Sequence, residues 1–356
     1  MLFRTDDESV VDRSGRVIYF SLPRFIADIA QGGCCFICGA TPEKVPFNNE
    51  HILPDWILRR YDLHTRAVIL PNGTPFRYGQ FTIPCCVACN SRMGEEIENP
   101  IRTMFGRGYK YFCDEIEKEG PWAVFCWMAR LFLKTHLKDN NLRFHLDTRK
   151  GEMKIGELHS WEELHHIHCL SRAFYTNCDI KAEALGSLYV APAKSLPHGE
   201  QFDYCDLTFA QAMLLRIDEV AILVVLNDCL ASITANREML DKITGPLSPL
   251  QLREIAVRMA AINARLVERP KFFSDINLLT EEYKIGSQRA NKYELGNMEA
   301  TVFGNMMSHI CGAAVPNGPE KSQILESLKT GNYTFLLDSE GVFAADHMDP
   351  IPPLEL

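Results

Sequence analysis

The spacing of apolar and polar positions divides the chain into stretches of different rhythm. Val17-Ile18-Tyr19-Phe20 is a short unbroken β-forming run and predicts a strand. Residues 23–29 carry Phe25, Ile26 and Ile29 at helical spacing, and Gly32-Gly33 then ends the pattern. From residue 34 to 110 the periodicity is weak and turn residues punctuate the chain: Gly39, Pro42, Pro46, Pro54, Pro71, Gly73, Pro75, Gly79 and Pro84. Within that stretch only residues 92–101 read as a helix, with Glu95, Glu96 and Glu98 on it.

Beyond residue 110 the rhythm becomes regular. Residues 121–138 are apolar around most of a helical circumference, with Pro121 suited to the first turn, and predict a central helix. Residues 186–190, 207–215 and 220–226 read as strands. Residues 248–268 read as a helix with Ser248 as its N-cap before Pro249; Ile255, Met259, Ile262 and Leu266 form its stripe. Helices follow over 296–313 and 319–329, then a hairpin over 333–343. The tail at 349–353 reads as extended or without regular structure.

This alternation makes the chain an α+β protein. Its 356 residues suggest about two domains. The expected organisation is an N-terminal arm over 1–30, a small module over 31–110 and a larger mixed α+β domain over 111–356. A turn-rich segment such as 34–110 cannot bury a large core and needs a staple.

Composition adds four constraints. A hydrophobic share of 46% with 23% charged residues is ordinary for a globular chain. No apolar run approaches the roughly 18 residues of a membrane helix, and the acidic N-terminus is unlike a targeting peptide. The expected location is therefore the cytoplasm, with no membrane partner. In that reducing compartment the 13 cysteines are not a disulfide framework. Six form two bursts, Cys34-Cys35-Phe36-Ile37-Cys38 and Cys85-Cys86-Val87-Ala88-Cys89. The other seven read as small buried hydrophobes. The net charge of -9 argues against a nucleic-acid partner until it is divided. Residues 1–110 hold 13 Lys and Arg against 12 Asp and Glu, so the acidity belongs to the rest of the chain.

Cys35-x-x-Cys38 and Cys86-x-x-Cys89 are two knuckles of the kind that meet at one tetrahedral Zn2+ ion. Their long separation makes the intervening segment an excursion with its own task. Inside it lies Asn49-Glu50-His51-Ile52-Leu53-Pro54-Asp55-Trp56, and Asn90-Ser91-Arg92 follows the second knuckle. Cysteine pair, acid-His-x-x-Pro, then cysteine pair followed by Asn resembles the zinc-stapled branch of the His-Asn-His (HNH) endonucleases over residues 34–102.

The resemblance implies a ββα-metal fold and hydrolysis of DNA phosphodiesters, with DNA favoured over RNA. It implies that His51 is the general base and that Glu50 and Asn90 ligate a catalytic Mg2+ or Mn2+. Glu50 stands where the family more often has Asp. The middle Asn of the pattern is missing from residues 80–84, leaving Gln80 or Thr82 in its place. Neighbouring strand residues such as Glu50 and His51 face opposite sides, so both serve one site only if the strand ends or twists there; Pro54 fits such an ending. Arg92, Arg59 and Arg60 are the candidate phosphate contacts. The family layout further suggests a prophage or defence nuclease, with residues 111–356 sensing a trigger, binding a partner or forming a homodimer. The alternative is a zinc-stapled nucleic-acid- or protein-binding module without catalysis. The run His165-His166-Ile167-His168 reads as a polar helix end or loop.

Overall fold

The computed structural model describes residues 1–195 and 201–345, so the 349–353 tail lies outside the described residues. It is a mixed α+β protein of two compact units. Unit 1 comprises Met1–Thr103, Trp122–Ala182 and Phe272–Gly286; unit 2 comprises Met104–Pro121, Glu183–Lys271 and Ser287–Leu356. Boundaries at 30 and 110 follow the chain order, whereas each unit is assembled from three separated stretches. Among the described residues, no helix is long and apolar enough to cross a membrane.

Unit 1 opens with an antiparallel sheet of β1 (Leu2–Arg4), β2 (Val10–Asp12) and β3 (Val17–Tyr19). Helix α1 (Leu22–Arg24) continues as a π-helix, Phe25–Ala30, with Phe25 and Ile29 buried as expected. Strand β4 (Phe47–His51) runs antiparallel to β7 (Thr82–Cys86). Between them lie helix α2 (Asp55–Arg60) and a hairpin of β5 (Ala67–Ile69) and β6 (Pro75–Arg77).

Helix α3 (Val87–Met93) follows β7 directly. The helix expected from Arg92 thus starts five residues earlier, because the Cys86 thiol caps it by accepting from the Cys89 amide. It passes through a π-helical turn, Gly94–Glu98, into α4 (Asn99–Gly106). Pro100 lacks an N–H, so one rung of the ladder is missing where the helix widens.

Helix α5 (Gly108–Glu119) belongs to unit 2, and the chain returns to unit 1 at α6 (Trp122–Asp139). Helix α6 is buried on nearly every side, including Arg130, Lys134, His136 and Asp139. Helix α7 (Trp161–Ser171) packs along it and leads into α8 (Ala173–Thr176). Strand β8 (Asp179–Ile180) then pairs in parallel with β14 (Tyr283–Gln288), whose other neighbour is β13 (Lys271–Ile276).

Unit 2 is built on one antiparallel sheet in the order β10 (Phe202–Leu207), β11 (Ala212–Ile217), β12 (Val220–Val225), β9 (Ser187–Pro192). Every residue of β11 and β12 is buried, as expected when both faces of a sheet are covered. The strand expected over 207–215 is instead two strands joined by a 3-10 turn, Thr208–Ala210. Gln211 takes a left-handed conformation (φ 45°) with no Gly or Pro to announce it.

Helix α9 (Ala231–Leu240) precedes α10 (Pro249–Ala264), which lies against β10, β11 and β12. Ser248 and Gln251 form a reciprocal capping box at the start of α10. Helices α11 (Ala300–Gly312) and α12 (Lys321–Lys329) close the aliphatic core. The expected C-terminal hairpin reduces to one bridge, Leu337 to Phe343, around a turn whose two amides bond the Asp338 carboxylate.

Candidate metal centre and the histidine cluster beside it

The first knuckle turns tightly: the Cys35 amide bonds the Ala40 carbonyl and the Gly39 amide bonds the Cys35 carbonyl, each at 2.8 Å. The second spans the end of β7 and the first turn of α3. The β4–β7 ladder pairs Phe47 with Cys86 and Asn48 with Cys85, which fixes the second knuckle to the strand that carries Glu50 and His51. Together the knuckles bring the Sγ atoms of Cys35, Cys38, Cys86 and Cys89 within 4.8 Å of one another.

The Cys38 and Cys86 sulfurs are 3.6 Å apart. Zn–S bonds of about 2.3 Å place tetrahedral thiolates roughly 3.8 Å apart. The donor set therefore fits a metal ion such as zinc. Thiol hydrogen bonds from Cys38, Cys85 and Cys89 lower the pKa of Cys35 from its ordinary value. Cys85, 3.8 Å from Cys35, is a further thiol, buried, whose pKa is pushed up by that bond and by burial.

The scaffold holding the first knuckle comes from α7. His168 Nε2 donates to the Phe36 carbonyl at 2.8 Å. Buried Arg172 donates to the carbonyls of Ile37 (2.5 Å), Val17 (2.6 Å) and Ile18 (3.1 Å). His165 donates to the Phe20 carbonyl, and His166 stacks on Phe272. These histidines thus stand in a packed helix, where aromatic neighbours and backbone carbonyls take the place of water; the expectation of a polar helix end or loop is corrected.

Glu50 and His51 part company at the end of β4. Glu50 points inward and forms an ion pair with Lys134 Nζ at 2.6 Å, both groups being buried. The same ammonium donates to the His51 carbonyl at 2.7 Å. The His51 side chain is half-buried, opposite Thr82 in the ladder. Burial pushes its pKa down, against the attraction of Asp55 and Glu50, so the ring is neutral at physiological pH.

Asp55, the first residue of α2, accepts from His64 Nε2 at 2.9 Å and from Arg59 at 2.5 Å. Its slight burial raises the carboxyl pKa, but those hydrogen bonds outweigh it and leave it below the usual range. One ligand atom each from His51, Asp55 and His64 lies within 4.8 Å of the others. His64 is placed by the buried Leu63 beside it and by the Gly79 amide on its carbonyl.

The remaining candidates lie apart from this cluster or are locally engaged. The Asn90 amide nitrogen donates to Asn48 Oδ1 at 2.8 Å. Arg92 pairs with Glu96 at 2.7 Å, donates to the Phe174 carbonyl and lies over the Phe174 and Tyr175 rings. Arg59 is 77% exposed beyond Asp55, and Arg60 lies over Tyr61. Glu98, on the π-turn, has its pKa raised by burial and by the charge of Glu50, with Lys134 and Arg130 opposing.

Sequence reasoning overlooked Lys134, a cation inside an apolar helical pattern, and His64, thirteen residues from His51 with no motif linking them. Asp55 was in view four residues after His51, a spacing that carries the chain once around the Pro54 corner. Compared with family models, curated proteins and solved structures, the chain finds no match.

Proposed function

We propose that this chain is a metal-dependent hydrolase of nucleic-acid phosphodiesters, an HNH-type endonuclease acting on DNA. One observation carries the reading. The excursion between two metal-binding knuckles delivers His51 at the end of a strand, half-exposed, neutral and next to the Asp55–His64 pair. The order of β4, β7 and α3, two antiparallel strands followed at once by a helix, supports it. A neutral imidazole there is available to accept a proton from water or to bind a metal.

The pair implied for the catalytic cation fits less well. Glu50 already neutralises a buried ammonium, and Asn90 reaches toward Asn48. No step is assigned to a cation held by those two residues. The Glu50–Lys134 pair favours a second reading, a zinc-stapled nucleic-acid- or protein-binding module without catalysis.

Plasmid nicking in Mg2+ or Mn2+ separates the two. Wild type is expected to convert supercoiled plasmid, and His51→Ala to lose at least about 100-fold, the upper part of the usual acid–base range. Equal rates for the two proteins would remove His51 from the chemistry and leave the binding module.

A further inference from the structure

We infer that His51, Asp55 and His64 form a binding site for one transition-metal ion, distinct from the four-cysteine cluster. Two imidazoles and one carboxylate are a donor set suited to Zn2+, Co2+, Mn2+ or Fe2+ rather than to Mg2+, which prefers oxygen throughout. The separation of 2.9 Å between His64 Nε2 and Asp55 Oδ1 is close to the roughly 3 Å between neighbouring ligands of an octahedral ion with bonds of about 2.1 Å, and shorter than the roughly 3.4 Å of a tetrahedral one. His51 supplies the third ligand atom within the same 4.8 Å sphere. Its ring nitrogens make no hydrogen bond among the described residues, so binding an ion breaks nothing on that side.

The backbone at these three positions is well fixed. His51 ends a strand and its carbonyl is held by Lys134. Asp55 opens a helix whose Ile57 and Leu58 are buried, and its Oδ2 is oriented by Arg59. All three ligand residues are partly exposed, which gives an ion a path in and leaves coordination positions open to water or substrate.

The buried Glu50–Lys134 pair gains a role from this arrangement. Lys134 links the Glu50 carboxylate to the His51 backbone and so positions a metal ligand, with Glu50 itself outside the ligand set. With an ion bound, the imidazole of His51 serves the metal, and a metal-bound water is the group that loses a proton.

The inference stands whether or not the protein cuts nucleic acid, and its test does not read activity. The full-length protein, loaded with a single equivalent of Zn2+ for its cysteine cluster and freed of excess zinc, is titrated with Mn2+ while the histidine imidazole resonances are followed by NMR. One further equivalent is expected to bind, broadening the His51 and His64 signals before those of the other histidines. His64→Ala and Asp55→Asn should each weaken that equivalent by more than the roughly 10–100-fold that outer-shell partners cost, while the cysteine-bound zinc content stays unchanged. Broadening that spares His51 and His64 would overturn the site, as would a wild type that takes up no second equivalent. Zinc retention in the variants shows that unit 1 has folded, and the wild-type NMR result decides the matter on its own. Binding without plasmid nicking would sink the hydrolase reading and leave this one intact.

Discussion

The two units stabilise themselves by different means. Unit 2 has an aliphatic core: Leu214, Leu223 and Val225 of the sheet meet Leu252, Ile255 and Met259 of α10, with Met307 and Ile310 of α11 closing one side. Unit 1 sets charged and metal-binding groups among its own buried apolar side chains, such as Phe25, Phe125, Trp127 and Phe132. Arg130, Lys134 and Arg172 are all under 3% exposed, and His136 and His168 are buried with them. Each finds a specific partner, a backbone carbonyl in most cases. A hydrophobic core tolerates many fillings of the right volume. A polar core works only when its donors and acceptors are matched, because an unmatched buried charge costs far more than a poor apolar fit.

The sharpest way to break this comparison is to take apart the four-cysteine cluster. Cys89→Ser, or chelation of the wild type, should abolish the cooperative melting of unit 1 and leave that of unit 2 in place. Structural zinc in small domains contributes on the order of 10 kcal/mol to folding. Calorimetry with parallel zinc analysis reads the outcome, and a folded, zinc-free protein with both transitions intact would refute the staple.

A smaller effect is expected at the buried pair. Lys134→Met should cost about 3–5 kcal/mol, since it leaves the Glu50 carboxylate uncompensated. The double variant Glu50→Gln with Lys134→Met should recover much of that loss. Denaturant melts of the single and double variants measure the coupling; additive losses would show that the two groups act separately.

Acid gives a discrimination of about the same size. Burial holds the His136 pKa down at about 3, and that of His168 well below the ordinary value of 6.5. In the unfolded chain both protonate near 6.5, while in the fold they remain neutral. Their full contribution is therefore present above pH 6.5. It drains as pH falls below that, by about 1.4 kcal/mol per pH unit for each group, and for His136 down to about 3. The described part of unit 2 holds one histidine, exposed His309, so its stability should change little over that window. Melting temperatures at pH 7 and pH 5 should separate the transitions; a parallel fall in both would erase the distinction.

How much of this could be read from the sequence depended on distance along the chain. The Cys-x-x-Cys knuckles, the Ser248 cap and helix α6 are local patterns, each written within a few turns of backbone, and the structure bears out the four-cysteine cluster. The break at Gln211 escaped because a left-handed residue other than Gly has no compositional mark. The partners of Glu50 and His51 escaped because Lys134 lies over eighty residues away and sits inside a pattern that reads as purely apolar. His168 and Arg172 were invisible as clamps on the first knuckle, since what they grip is backbone and backbone carbonyls carry no sequence signal.

Unit 1 also has an order of assembly imposed by its discontinuity. Both cysteine pairs emerge early from a ribosome, α7 follows, and β13 and β14 come only after the whole sheet of unit 2 has been made. At about 5–20 residues per second, the gap between the second cysteine pair and those last strands lasts on the order of ten seconds or more. During that interval four thiols and the His51 cluster exist on a nascent chain whose first unit has begun to fold and lacks its final sheet. The unit that starts first is thus completed only after most of its neighbour has been synthesised.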